Sequence, residues 1–197
     1  MEPSAAPYPA QIELNRDYEV ARWRPLVNWL LAIPQLIVVY VLGIVFQIVT
    51  IIAFFTVLFT KKIPTGIFGV LALYLRYSWR VESFALFMRD EYPPFTFETT
   101  AADPGTDPAV YAIEEPGELN RWLPLVKWLL AIPHYIVLLF LFIAVFFVKL
   151  VAFFAVIFTA RYPEGLRDFV VGVFRWQLRV QSYVSFMTDV YPPFSLR

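Results

Sequence analysis

The chain repeats itself. Residues 22–35 read RWRPLVNWLLAIPQ and residues 121–134 read RWLPLVKWLLAIPH. A shift of 99 aligns residues 22–95 with 121–194 without a gap, and 35 of those 74 positions are identical. The matches include Trp23/Trp122, Pro34/Pro133, Arg76/Arg175, Arg80/Arg179, Asp90/Asp189 and a closing YPPF. Such identity marks a tandem duplication, so whatever the first copy folds into, the second does too. The units are residues 1–98 and 118–197. They are joined by an acidic, Pro- and Gly-containing linker at 99–117, with six acids and no base from Glu98 to Glu118.

Each copy has the same parts in order. A Trp-flanked start leads into an apolar run of about 35 residues (25–59 and 124–158), then a basic turn, TKKIPTG or TARYPEG. An amphipathic stretch follows (67–90 and 166–189), ending at YPPF. Pro25 and Pro124 suit the first turn of a helix, and the Trp residues suit a membrane–water interface. Apolar residues make up 59% of the chain and charged ones 16%, against about 45–50% and 25% in soluble domains. The solvent expected for such a chain is a bilayer. The polar, acidic start lacks a basic segment followed by an apolar one, so no cleavable signal is expected there.

The apolar run is long for one straight crossing and short for two. Two alike copies are expected to sit the same way round, which requires an even number of crossings per unit, or none. One solution is a helical hairpin turning near Gly43; Phe142 stands at the equivalent place. A second is a single span returning through residues 67–90. A third is one span per unit with inverted copies. Bases flank both ends of the runs (Arg22, Arg24, Arg121 and Lys127 before; Lys61, Lys62 and Arg161 after). That favours the hairpin with both ends and both termini cytoplasmic. Pro34 and Pro133 are expected to break or kink the run near one end.

At 100° per residue, Arg76, Arg80, Ser83, Phe87 and Asp90 share one sector, and Arg175, Arg179, Ser182, Phe186 and Asp189 repeat it. This stripe reads as the wet face of a helix lying on the membrane, or as a site where Arg76, Arg80, Asp90, Arg175, Arg179 and Asp189 meet anionic headgroups or a protein partner. Inside the runs, Gln47, Thr50 and Lys149 are polar, and an intramembrane Lys is a functional candidate. AQIEL, VYAIE and FTFE alternate as short strands do.

Nothing converges on catalysis. There is no cysteine, and the one histidine, His134, is matched by Gln35, so a usual zinc site cannot be built. No cofactor is expected. The distribution of bases argues against nucleic acid.

The string WLLAIPH…FTARYPEGLRDFVVGVFRWQLRVQSY…TDVYPPFSL resembles a bacterial integral-membrane family known only as a domain of unknown function. Both units carry the resemblance. The first departs from it, with Gln35 for the histidine and KKIPTGIFG for RYPEGLRDF. The resemblance implies a bacterial plasma-membrane location and no activity. The expected fold is therefore an all-α membrane protein of two parallel repeats. Each would be a hydrophobic hairpin or kinked long helix plus an amphipathic interfacial helix, with short extramembrane strands allowed. The expected function is non-catalytic: membrane-organising, lipid-interacting, or an accessory subunit with a protein partner or a second copy. The alternative is a small transporter or channel with a path near Lys149.

Overall fold

In each unit a short helix with proline in its first turn runs into a long apolar one, and the chain then doubles back through a third. A computed structural model describes residues 8–197; residues 1–7 of the first unit lie outside the described residues. The first unit contributes β1 (Ala10–Leu14), α1 (Arg24–Leu31), α2 (Ile33–Thr60) and α3 (Thr65–Ala85). The second contributes β2 (Ala109–Ile113), α4 (Leu123–Leu130), α5 (Ile132–Thr159) and α6 (Glu164–Val184).

Pro25 and Pro34 both fall in the first turn of their helices, where the missing N–H costs nothing. The chain bends at Ala32 yet stays helical, because Ala32 N–H donates to Asn28 O and Leu36 N–H to Ala32 O, both at 2.8 Å. The hairpin expected near Gly43 is not there. Residues 33–60 form one helix of 28 residues, about 42 Å long, and Gly43 faces the Tyr74 ring. The run contains no turn chemistry, so each interior backbone group is best satisfied by continuing the helix. Termination comes at Lys61 and its equivalent Ala160, both left-handed at φ 58° and 57°, a common way to end a helix.

The strands are equivalents under the 99-residue shift, and they pair antiparallel with Ile12 opposite Tyr111, its own equivalent. Antiparallel pairing of equivalents defines a twofold axis perpendicular to the sheet through that pair. The starts of the two units obey it. Val20 N–H donates to Ala160 O (3.0 Å), and Leu119 N–H to Lys61 O (2.8 Å). Each unit thus begins where the other unit's long helix ends.

These two junctions exchange under the axis, so they stand at one height along it. The second helix, α2, ends at the Lys61 junction. From there α3 returns to the other, where Asp90 accepts from Ala21 N–H at 3.2 Å. So α3 runs nearly perpendicular to the axis. So, at a steep angle, does α2, which begins one short helix away from the first junction. The second unit repeats this in the opposite direction.

Three layers result. Ala10, Ile12, Ala109, Tyr111 and Ile113 turn inward and are buried, while Gln11 and Glu13 face out. In the middle layer, α3 and α6 pack on the sheet and are covered on nearly every side. The long helices pack on these rather than on the strands, through Phe46 on Tyr74 (ring centroids 4.4 Å) and Phe142 on Phe174 (5.5 Å). The accessible surface is 10362 Å², close to the roughly 9,600 Å² of a compact protein of this mass. AQIEL and residues 109–113 form strands as their alternation indicates, whereas FTFE does not. The stretch 99–117, read from its composition as a linker, therefore contains a strand.

Candidate functional site

The polar stripe of the middle helices is the largest departure from the sequence reading. Arg76 and Arg80 are 3% and 2% exposed and face the interior. What covers them is main chain. After YPPF, residues 98–107 pass beside β2. Arg76 donates through Nη1 to Glu98 O (3.1 Å), and through Nη2 to Thr100 O (2.8 Å) and Ala102 O (3.0 Å). Its Nε reaches Tyr111 O at 3.2 Å. Asp103 sits between the two guanidiniums, 3.2 Å from Arg76 Nε and 3.3 Å from Arg80 Nη2, and accepts Tyr111 N–H at 3.0 Å. Arg89 and Asp107 make a second interior pair at 2.7 Å, with side chains 0% and 2% exposed. Carbonyl dipoles and carboxylates together replace the water that these cations lose. The passage is close enough that a Cβ on Gly69 would stand 2.1 Å from Thr99 O, so only glycine fits there.

In the second unit Arg175 Nε donates to Ile12 O at 3.0 Å, its Nη1 to Leu196 O at 2.9 Å, and Arg179 Nη1 to Arg197 O at 2.6 Å. Both arginines are partly buried. The two stripe aspartates tie down the units' starts. Asp90 takes Ala21 N–H and Arg24 Nε (3.1 Å); Asp189 takes Asn120 N–H (2.6 Å) and Lys127 Nζ (2.8 Å). The expectation of a wet, headgroup-facing stripe is thus corrected for Arg76 and Arg80. Helical periodicity identifies a common face, but it cannot say that the chain's own backbone will cover it.

The exposed cations stand elsewhere. Arg22, Lys61 and Lys62 lie at the junctions, beside Trp23 and Trp122, which are 51% and 65% exposed. Between the junctions the outer faces of α2 and α5 are bare hydrocarbon: Leu36, Tyr40, Ile44, Ile48, Phe55 and Phe59 are each at least 47% exposed, and α5 repeats the stripe. Each strip is about 42 Å long and roughly 10 Å wide. Together they exceed the ~300–600 Å² of the largest apolar patch on a soluble monomer. Among the described residues, two helical stretches are long and apolar enough to cross a membrane, Ile33–Thr60 and Leu123–Thr159, the second being α4 and α5 together.

Gln47 is exposed in a shallow groove beside Tyr40 and Tyr74. Thr50 Oγ1 is buried without a partner, and Lys149, its equivalent on α5, is partly buried. Among the described residues no hydrogen bond joins these three into a path. The sequence reading missed Asn28 and took its equivalent Lys127 for a base flanking the run; both are buried, and they reach Phe84 O (2.9 Å) and Thr188 O (2.7 Å). It also missed the surroundings of His134 and Gln35. His134 Nδ1 accepts from Trp176 Nε1 at 3.0 Å and its ring stacks on Phe194 at 4.1 Å. Gln35 accepts from the Tyr77 hydroxyl and donates to Pro93 O at 2.7 Å. Both side chains bind YPPF to the start of the long helix. A polar residue after the AIP of each repeat was the available signal.

Against known proteins, the family described as a domain of unknown function, DUF4389, matches residues 22–96 and 122–195. The two matches coincide with the two repeats and cover most of the chain. No curated protein matches, and neither does any solved structure.

Proposed function

This chain belongs to the DUF4389 family, and from its layered geometry we propose that it is a non-catalytic, lipid-interacting protein of one membrane leaflet. In this reading α1, α2, α4 and α5 lie in the membrane plane with their bare faces among the acyl chains. The sheet and residues 98–107 stand in water, where they can present a surface to a protein partner. Arg22, Lys61 and Lys62 at the rim take the headgroup role first assigned to the stripe, which favours the anionic cytoplasmic leaflet of a plasma membrane.

The observation that carries this reading is the axis. All four long elements run steeply across it, with apolar surface at one end and an open two-stranded sheet at the other. Standing α2 upright in a bilayer would lay the axis in the membrane plane. The sheet edge, Gln11, Glu13 and residues 98–107 would then sit at mid-depth in hydrocarbon, where unpaired backbone groups cost several kcal/mol each. With the axis along the membrane normal, the sheet and residues 98–107 stay clear of the hydrocarbon, and both units sit the same way round with no crossing.

Oriented circular dichroism on aligned bilayers reads helix direction. The full chain should give the signature of helices lying in the plane. A spectrum of helices along the normal would reject the proposal.

A further inference from the structure

The two junctions are equivalent under the axis, but their charges are not. At the first, where Val20 meets Ala160, three cations are already paired: Arg16 with Glu91 (2.7 Å), Arg24 with Asp90 (3.1 Å) and Arg161 with Glu164 (2.6 Å). Arg24 also lies over the Trp23 ring, 4.3 Å from its centroid. The recess there, about 310 Å³, carries Asp17, Glu19 and Asp90 against Arg16. Arg22 is exposed and does not line it.

At the second junction, where Leu119 meets Lys61, the same positions lack those partners. Thr65 stands in place of Glu164 behind Lys62, Leu123 in place of Arg24 beside Trp122, and Lys61 in place of Ala160. Among the described residues no carboxylate lies within 4.0 Å of Lys61, Lys62 or Arg121. Arg121 Nε is shielded from solvent and has no hydrogen-bond partner, and a shielded donor left unmade is costly. Lys61, Asn120, Arg121 and Trp122 line one recess of about 580 Å³, with Glu118 its one acid. Asn120 accepts Trp122 N–H through Oδ1 at 2.9 Å, which leaves its amide N–H groups to donate.

We propose that this second recess is a discrete site for the phosphodiester of an anionic phospholipid, one per chain. The inference rests on the in-plane reading, which sets both junctions among the headgroups of one leaflet, and it names the junction that selects the lipid. The planar guanidinium of Arg121 takes two phosphate oxygens, one of them at Nε. Lys61 adds a point charge at the end of α2, Asn120 an amide donor, and Trp122 a ring at the level of the glycerol. A free headgroup shares the phosphodiester. Only the lipid adds acyl chains, for which the exposed Phe59 and Trp122 offer apolar contact.

The test is a titration of the full chain, held in a neutral detergent, with short-chain phosphatidylglycerol, followed by tryptophan fluorescence. A neutral micelle adds no surface attraction of its own, and native mass spectrometry counts the lipids retained. One saturable lipid per chain is expected, with zwitterionic phosphatidylcholine about ten-fold weaker. Lys61→Gln and Arg121→Gln should each weaken binding about ten-fold, the size of one lost charge-assisted bond. Arg161→Gln removes the same charge at the first junction and should weaken it about two-fold or less. Lys61 is exposed, so its variant keeps the comparison free of misfolding. Equal losses in all three variants, or no saturation by roughly 1 mM, would overturn the site and leave the in-plane reading to oriented circular dichroism. Glycerophosphoglycerol, the same headgroup without acyl chains, binding as tightly as the lipid would overturn the lipid as its source.

Discussion

Asp103→Asn should cost about 3–5 kcal/mol of folding stability, the penalty for removing one partner from a buried ionic network. The substitution preserves size and leaves Arg76 and Arg80, each under 4% exposed, with no carboxylate between them. Asn can accept fewer bonds than the carboxylate, which now takes Arg76 Nε, Arg80 Nη2, Tyr111 N–H and Gly105 N–H. At 197 residues the change corresponds to a drop of about 10 °C in the melting temperature. Asp90→Asn is the matched comparison. Its carboxylate is 33% exposed and meets an Arg24 that is 16% exposed, so solvent screening should hold its cost to about 1 kcal/mol. Thermal melts of the two variants side by side decide the matter. Equal, small losses would mean that residues 98–107 are not an integral part of the core.

Glu82→Gln should stabilise the protein at alkaline pH and leave it unchanged at acid pH. Glu82 Oε2 is shielded without a hydrogen-bond partner, and burial pushes the carboxyl up from 4.5 to about 8. The folded state therefore keeps a proton that the unfolded state releases. Stability contributed at this site is intact below about 4.5, falls as pH rises toward 8, and is fully lost above it. Glutamine cannot ionise, and Gln181 already occupies the equivalent position of the second unit. Since Glu82 is partly buried rather than fully enclosed, the gain at pH 9 is expected to be on the order of 2 kcal/mol. Denaturation of both proteins at pH 5 and pH 9 measures it as a difference of differences, which cancels the other titrating groups. A gain of equal size at both pH values would show a packing effect instead of a proton.

The duplication, the segments, the bend near Pro34 and two of the three short strands could be read from residues, because each rests on local chemistry or on repetition. The path of the apolar run could not. Hydropathy measures how apolar a segment is and carries no information on whether it stands, turns or lies flat. Gly43 offered a turn only on paper, since Phe142 in the other unit admits none, and in the structure Gly43 lies within α2 facing Tyr74. The arginine stripe was legible as a face and illegible as an interior, because the groups that bind it are mostly carbonyls, which every residue owns. One clue was present. Arg76 and Arg80 had no acids at helical spacing, while Asp103 sat in a stretch without bases, and each needed the other. The twofold relation followed from neither composition nor period; it became visible only when Ile12 was found opposite Tyr111.

The measurement that tests the orientation most directly uses the absence of native cysteine. Thr65 and Glu164 are equivalents, both exposed, at the starts of α3 and α6 and so at opposite junctions. Single cysteines at these two positions, probed in intact cells with a membrane-impermeant thiol reagent, should behave identically, shielded until lysis, if the long helices lie in the cytoplasmic leaflet. If one cysteine labels in intact cells and the other does not, α2 and α5 cross the bilayer as an inverted pair, and the in-plane account is wrong.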